Sequence, residues 1–222
     1  MPDFQKEKLL VLEFLNAIDN ANDNNLVEII SKYTSKNFNM KCTHPFNELK
    51  GADKIAKYLW SPIKKSFKPI QRRMDIFYAG TNLVDNHSSK WVVNMGHLLG
   101  SFNNSFLGIE PTKKTVMLWY CEFYKVENNK ITEGAFFLDI LKFMQHLKLS
   151  VVPDSTGMVG FNPGPKTHDG LYFEKQSEEE GNKTLNLMMK MANRLIGEGM
   201  RTTVSDLEKD WHEDMIWWGP GG

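Results

Sequence analysis

The chain of 222 residues is 41% hydrophobic and 12% aromatic, enough for one sizeable buried core and not for two full ones. Its 27 basic side chains balance 27 acidic ones, and a net charge of zero excludes nucleic acid and anionic membranes as default partners, since both select a strong basic bias. Two cysteines, Cys42 and Cys121, exclude a disulfide framework and a cysteine zinc site.

The N-terminal region shows no signal-peptide core and no apolar stretch of membrane-spanning length, which points to a cytoplasmic protein. Leu10, Phe14 and Ile18 recur every four residues, with Val11 and Leu15 beside them, and this stripe predicts a first helix ending near the Asn-Asp cluster at 20 to 25. A short second helix carries Leu26, Ile29 and Ile30, and Asn37 to Phe46 reads as a strand entering a loop at Pro45. Helical spacing resumes from Ala52 to Trp60, and Pro62 is expected to interrupt it. From about Gln71 the period changes to two: Met74, Ile76 and Tyr78 alternate with Asp75, Phe77 and Ala79. Trp91 to Leu99, Thr115 to Val126 and Ile131 to Leu138 add three more strands, the last two joined at the turn Asn128-Asn129. Helices first and antiparallel strands afterwards make an α+β domain with helices on the concave face of a curved sheet.

Beyond residue 150 the composition shifts. Proline, glycine and Glu178-Glu179-Glu180 mark 151–182 as a linker. Residues Lys183 to Pro220 then replay Lys8 to Pro45 without a gap: Lys8, Leu10, Leu12, Ala17, Met40 and Pro45 meet Lys183, Leu185, Leu187, Ala192, Met215 and Pro220, each at 220 − 45 = 175 positions. The expected organisation is one domain over 1–150, the linker, and the incomplete opening of a second copy over 183–222.

Gly100-Ser101-Phe102 followed by Phe106-Leu107-Gly108-Ile109-Glu110-Pro111-Thr112, then Lys130-Ile131 in the hairpin and Asp139 before Ile140 to Gln145, resembles the SnoaL-like polyketide cyclases of the nuclear transport factor 2-like superfamily. The resemblance covers most of residues 8 to 150. It implies a cone-shaped, cystatin-like sheet with a pocket, ring closure by a general acid/base Asp at the position of Asp139, no metal and no cofactor, and homodimers through the outer sheet face. Two departures stand out: Phe102 replaces the family's histidine, and Asn129 replaces its hairpin glycine, at little cost because Asn tolerates positive φ.

Asp139 follows the apolar run Ala135 to Leu138, where a carboxylate is desolvated and suited to moving a proton beside a carbonyl. It is equally placed to cap the helix beginning at Ile140. His97 shares a face with Trp91, Val93 and Met95 and either assists Asp139 or is a core histidine. Glu122 shares a face with Tyr120 and Tyr124 and points either into the cavity or to an interface. His44 and Trp60 are candidates for the pocket mouth, and Trp91, Trp119 and Phe137 for its apolar lining; His44 fits a surface turn as well, and the aromatics an ordinary core. Scattered histidines, no glycine-rich phosphate loop and no nucleophile elbow leave metal, nucleotide and serine chemistry without support. Two readings follow: cofactor-independent cyclase or isomerase chemistry on a small apolar carbonyl compound, or a non-catalytic ligand-binding or dimerisation module with its pocket filled by side chains.

Overall fold

A computed structural model describes residues 4–149, 167–199 and 203–215. The chain divides after Phe173 into two compact units. Residues 151 to 166 of the expected linker, and Trp217, Trp218 and Pro220 of the expected second copy, lie outside the described residues.

The first unit opens with helices α1 (Gln5–Asn20) and α2 (Leu26–Tyr33), followed by strands β1 (Thr34–Cys42) and β2 (Glu48–Lys50). A third helical stretch runs from α3 (Ala52–Ile55) through a π turn (Ala56–Trp60) into α4 (Ser61–Ser66). Long strands β3 (Phe67–Thr81), β4 (Lys90–Phe102), β5 (Thr115–Glu127) and β6 (Lys130–Leu138) follow, and α5 (Ile140–His146) closes the run. The sheet order is β2-β1-β6-β5-β4-β3, with β1 parallel to β6 and every other pair antiparallel. The sheet is therefore mixed, a correction to the purely antiparallel expectation: α1 and α2 precede β1, and the run of α3, α4 and three antiparallel strands brings the chain back to β1 in the parallel sense.

The helices cover one sheet face. α1 buries Val11, Phe14, Leu15 and Ile18, and Phe14 meets Tyr124 of β5 edge-on with ring centroids 5.5 Å apart. Pro62 does not end the helical stretch. The π turn passes the Ser61 N–H to the Ala56 carbonyl, and Pro62 falls in the first turn of α4, where a missing donor costs nothing. That wider turn also carries Trp60 into the core, 2% exposed.

In β3 the period-two pattern changes phase. The β3–β4 register shifts between Met74 and Ile76, so Asp75 is a bulge residue, Phe77 is buried and Tyr78 is exposed. Opposite the bulge, a Cβ on Gly96 would stand 2.0 Å from the Arg73 carbonyl oxygen, a close approach that only glycine allows. The β5–β6 hairpin turns on Asn128 and Asn129, with φ of 51° and 57°.

Residues 167–173, expected within the linker, belong to the first unit. They strap the free edge of β3: the Phe77 N–H donates to the Gly170 carbonyl at 2.8 Å, the Tyr172 N–H to the Phe77 carbonyl at 2.7 Å, and buried Lys8 reaches the Tyr172 carbonyl at 2.9 Å. In the second unit, α6 (Glu178–Gly197) is capped by Ser177 and α7 (Val204–Asp210) by a Thr203–Asp206 capping box, and Arg194 joins the two helices through Asp206 and Asp210. The offset of 175 lays α1 within α6, but the positions α1 buries map to Asn186, Met189, Lys190 and Asn193, and residues 211–215 form a turn rather than a strand.

Phe102, in place of the family histidine, is fully buried and stacks on Phe67 at 5.2 Å, with Phe143 of α5 edge-on at 5.3 Å. Apolar packing explains the residue type here, since an imidazole among these rings would lack a partner. Phe102→Ala is expected to cost about 3–5 kcal/mol of unfolding free energy in urea titration. A loss under about 1 kcal/mol would contradict its place in the core.

Candidate acid-base site

Period two decides which side chains can meet. Along β4 and β5, Val92, Asn94, Leu98, Leu118, Tyr120, Glu122 and Tyr124 face the helices, whereas Trp91, Val93, Met95, His97, Trp119 and Phe123 face the other way. The predicted residues therefore separate. Glu122 and Trp60 lie on the helix side. His97, Trp91, Trp119 and Phe137 lie on the outer face: His97 Nδ1 is 3.2 Å from Asp75 Oδ2 and its ring is 5.0 Å from that of Trp119, the Trp91 indole donates to Ser89 Oγ at 2.7 Å, and Phe137 is 51% exposed. His97 thus bonds to Asp75, not to Asp139. Asp139 Oδ1 accepts the Lys142 N–H at 2.8 Å and caps α5. His44 is exposed in the loop after β1, beside the cis Pro45.

Glu122 and Asn94 are cross-strand partners, both 0% exposed. Glu122 Oε2 accepts from Arg72 Nη1 at 2.9 Å and from Asn94 Nδ2 at 2.8 Å. The Tyr120 hydroxyl donates to Asn94 Oδ1 at 3.3 Å. The Arg72 guanidinium lies over two aromatic rings, 5.3 Å from Trp60 and 5.0 Å from Tyr120. On its far side it grips Asp19, with Nε and Nη2 reaching the carboxylate oxygens at 2.9 to 3.2 Å. One guanidinium therefore bridges an interior carboxyl and a rim carboxylate.

Glu122 Oε1 and Trp60 Nε1 close no hydrogen bond of ordinary geometry, and the buried Tyr124 hydroxyl lies against Glu122. Buried polar groups in this state carry a desolvation cost. Burial raises the pKa of Glu122, and Arg72 and Asn94 pull it back only in part. Burial also raises the Tyr124 hydroxyl, with Glu122 adding to the effect. Arg72 stays charged: burial lowers its pKa, and Glu122, Tyr120 and Asp19 more than offset that.

A cleft of about 10 Å³, room for about one water, lies at the outer edge of Arg72 beside Asp19, Trp60, Ile63, Lys64 and Ile70. Side chains fill the rest of the space that the sequence reading assigned to an open pocket. A larger polar groove of about 500 Å³ near Glu7, Ser88, Lys90 and Asn128 holds none of the interior acid-base groups. Arg72, Asn94 and Asp19 were not singled out from the sequence. Asn94 sits in phase with Val92 and Leu98, an amide in an apolar row that could have drawn notice.

The fold matches known structures. AclR from Streptomyces galilaeus, proposed to be a hydroxylase, aligns at 18% identity over 69% of this chain and 90% of that one, with a TM-score of 0.54. A proposed polyketide cyclase from Acidithiobacillus ferrooxidans aligns at 15% identity over 68% of this chain and all of that one, with a TM-score of 0.53. The fold is the SnoaL-like, nuclear transport factor 2-like one. No protein family and no curated protein matches the chain by sequence. At such identities the likeness is one of fold, and the chemistry of this SnoaL-like domain has to come from its own residues.

Because burial raises the pKa of Glu122, the folded chain holds that proton more tightly than the unfolded chain, whose glutamates titrate near about 4.3. The resulting stability is fully present below the unfolded value and is lost as pH rises through the raised one. Wild type is expected to lose stability with rising pH over this window, and Glu122→Gln to lack that component. Parallel urea-derived curves for the two proteins would contradict it.

Proposed function

We propose that this SnoaL-like domain performs cofactor-independent acid/base chemistry of the cyclase or isomerase type on a small carbonyl compound, with Glu122 carrying the proton. The observation behind this is the state of Glu122: fully buried, raised in pKa by burial, anchored through one oxygen by Arg72 and Asn94, and set against the Tyr124 hydroxyl. A carboxyl poised in this way can take a proton from the carbon beside a carbonyl and return it elsewhere. The anchored oxygen fixes the side chain, and the other is left to exchange the proton. Tyr124, beside Glu122, and Trp60 are buried donors that could turn to a carbonyl oxygen that gains negative charge. Asp139, the first candidate from the sequence, has its carboxylate engaged as a helix cap, and in this reading it is structural.

The test is solvent deuterium incorporation beside the carbonyl of small ketones, followed by NMR. Glu122→Gln is expected to slow exchange by about 10²–10⁴-fold, and Asp139→Asn to leave it within a few fold. Loss in Asp139→Asn with full exchange in Glu122→Gln would move the proton carrier to Asp139.

A second reading is the non-catalytic dimerisation module expected from the sequence, favoured by Asp139 capping α5 and by the side chains packed through the interior. The outer face of the sheet exposes Phe137 at 51% and Tyr78 at 42%, beside Trp91, Trp119 and Phe123. A face of this composition suits a homodimer. Phe137→Glu is expected to convert a dimer to a monomer in light scattering; an unchanged mass, or a monomeric wild type, would contradict it.

A further inference from the structure

Asp19 occupies an unfavourable place. It lies in the last turn of α1, where the helix presents its carbonyl ends and disfavours negative charge, and its side chain is 34% exposed. What holds it there is Arg72, whose Nε and Nη2 reach both oxygens of the Asp19 carboxylate. Arg72 itself is built in. Its side chain is 3% exposed, it lies over the rings of Trp60 and Tyr120, and Nη1 is fixed by Glu122. A planar fork fixed on its inner side, with its outer edge turned to the rim, has the geometry that recognises carboxylates.

The surroundings are apolar, and the cleft, which holds about one water with Asp19 in place, would have to widen as Asp19 leaves. Ile18, Ile63, Ile70, Leu98 and Trp60 line the cleft at this edge of Arg72. Lys64 Nζ donates to the Ile18 and Asp19 carbonyls at 2.8 Å each, so the end of α1 stays capped whichever way the Asp19 side chain points. Swinging Asp19 into water would free both fork bonds, and an incoming carboxylate could make them again with no change in the charge balance around Arg72.

We propose that the outer fork of Arg72 is a carboxylate-binding subsite, that Asp19 is its displaceable plug, and that the ligand is a small monocarboxylate with an apolar body. This deepens the acid-base reading: a carboxylate there lies one guanidinium away from Glu122, so the substrate would be a carbonyl compound that also bears a carboxylate. The binding claim does not depend on turnover.

The experiment titrates wild type, Asp19→Ala and Asp19→Asn with isobutyrate, and with isobutyramide as the uncharged control, by NMR or calorimetry. Wild type should bind isobutyrate weakly and saturably, both Asp19 variants at least tenfold more tightly, and none should bind isobutyramide comparably. Arg72→Lys in the Asp19→Ala background keeps the charge but removes the fork, and should lose at least tenfold in affinity. Binding only by the variants, with none by wild type, would show an artificial cavity being filled and would overturn the proposal. Equal affinity in wild type and the Asp19 variants, or affinity that survives Arg72→Lys, would overturn it as well. Failure here leaves the Glu122 chemistry standing, and failure of ketone exchange leaves this binding result standing.

Discussion

The Arg72 guanidinium, bridging Glu122 inside and Asp19 at the rim, is the interaction on which the rest of this domain depends. A buried carboxyl with no partner would be intolerable, and a buried arginine more so. Together they are tolerated because Asn94 takes up a further bond to Glu122 and the cation lies over the rings of Trp60 and Tyr120. Several local irregularities serve that arrangement. The π turn brings Trp60 inward, and the bulge at Asp75 shifts β3 so that both Arg72 and Phe77 face the helices although they are an odd number of residues apart.

The two faces of the sheet divide the work. Toward the helices lies the interior carboxyl with its cation, amide and phenols. On the outer face, His97 is held by Asp75 and packed on Trp119, and Phe137 is left exposed. His97 with Asp75 and Glu122 with Arg72 thus lie on opposite faces of one sheet.

Much of the architecture was legible in the sequence because it depends on short-range periodicity. The four-residue stripe of Leu10, Phe14 and Ile18 marks α1, the alternation through β4 and β5 assigns each side chain to one of two faces, and Asn128-Asn129 supplies the hairpin turn. Glu122 could be grouped with Tyr120 and Tyr124 in the same way. Which of the two faces met the helices was not legible, because that depends on packing between elements far apart in the chain. Arg72 and Glu122 are 50 residues apart, and Asp19 and Arg72 are 53 apart, so no spacing rule links them. Pro62 misled for a physical reason: the π turn places it at a helix start, where it does no harm. The bulge at Asp75 likewise broke an alternation that reads as continuous in one dimension.

The central claim is that Glu122 is an interior acid whose affinity for its proton is raised by burial. The direct measurement is a ¹³C NMR titration of the glutamate carboxyl carbons, with the Glu122 resonance assigned by its absence in Glu122→Gln. The account predicts that this carbon titrates clearly above the usual glutamate value of about 4.3. Titration at or below that value would mean that Arg72 outweighs burial, that Glu122 is a permanent anion, and that it carries no proton.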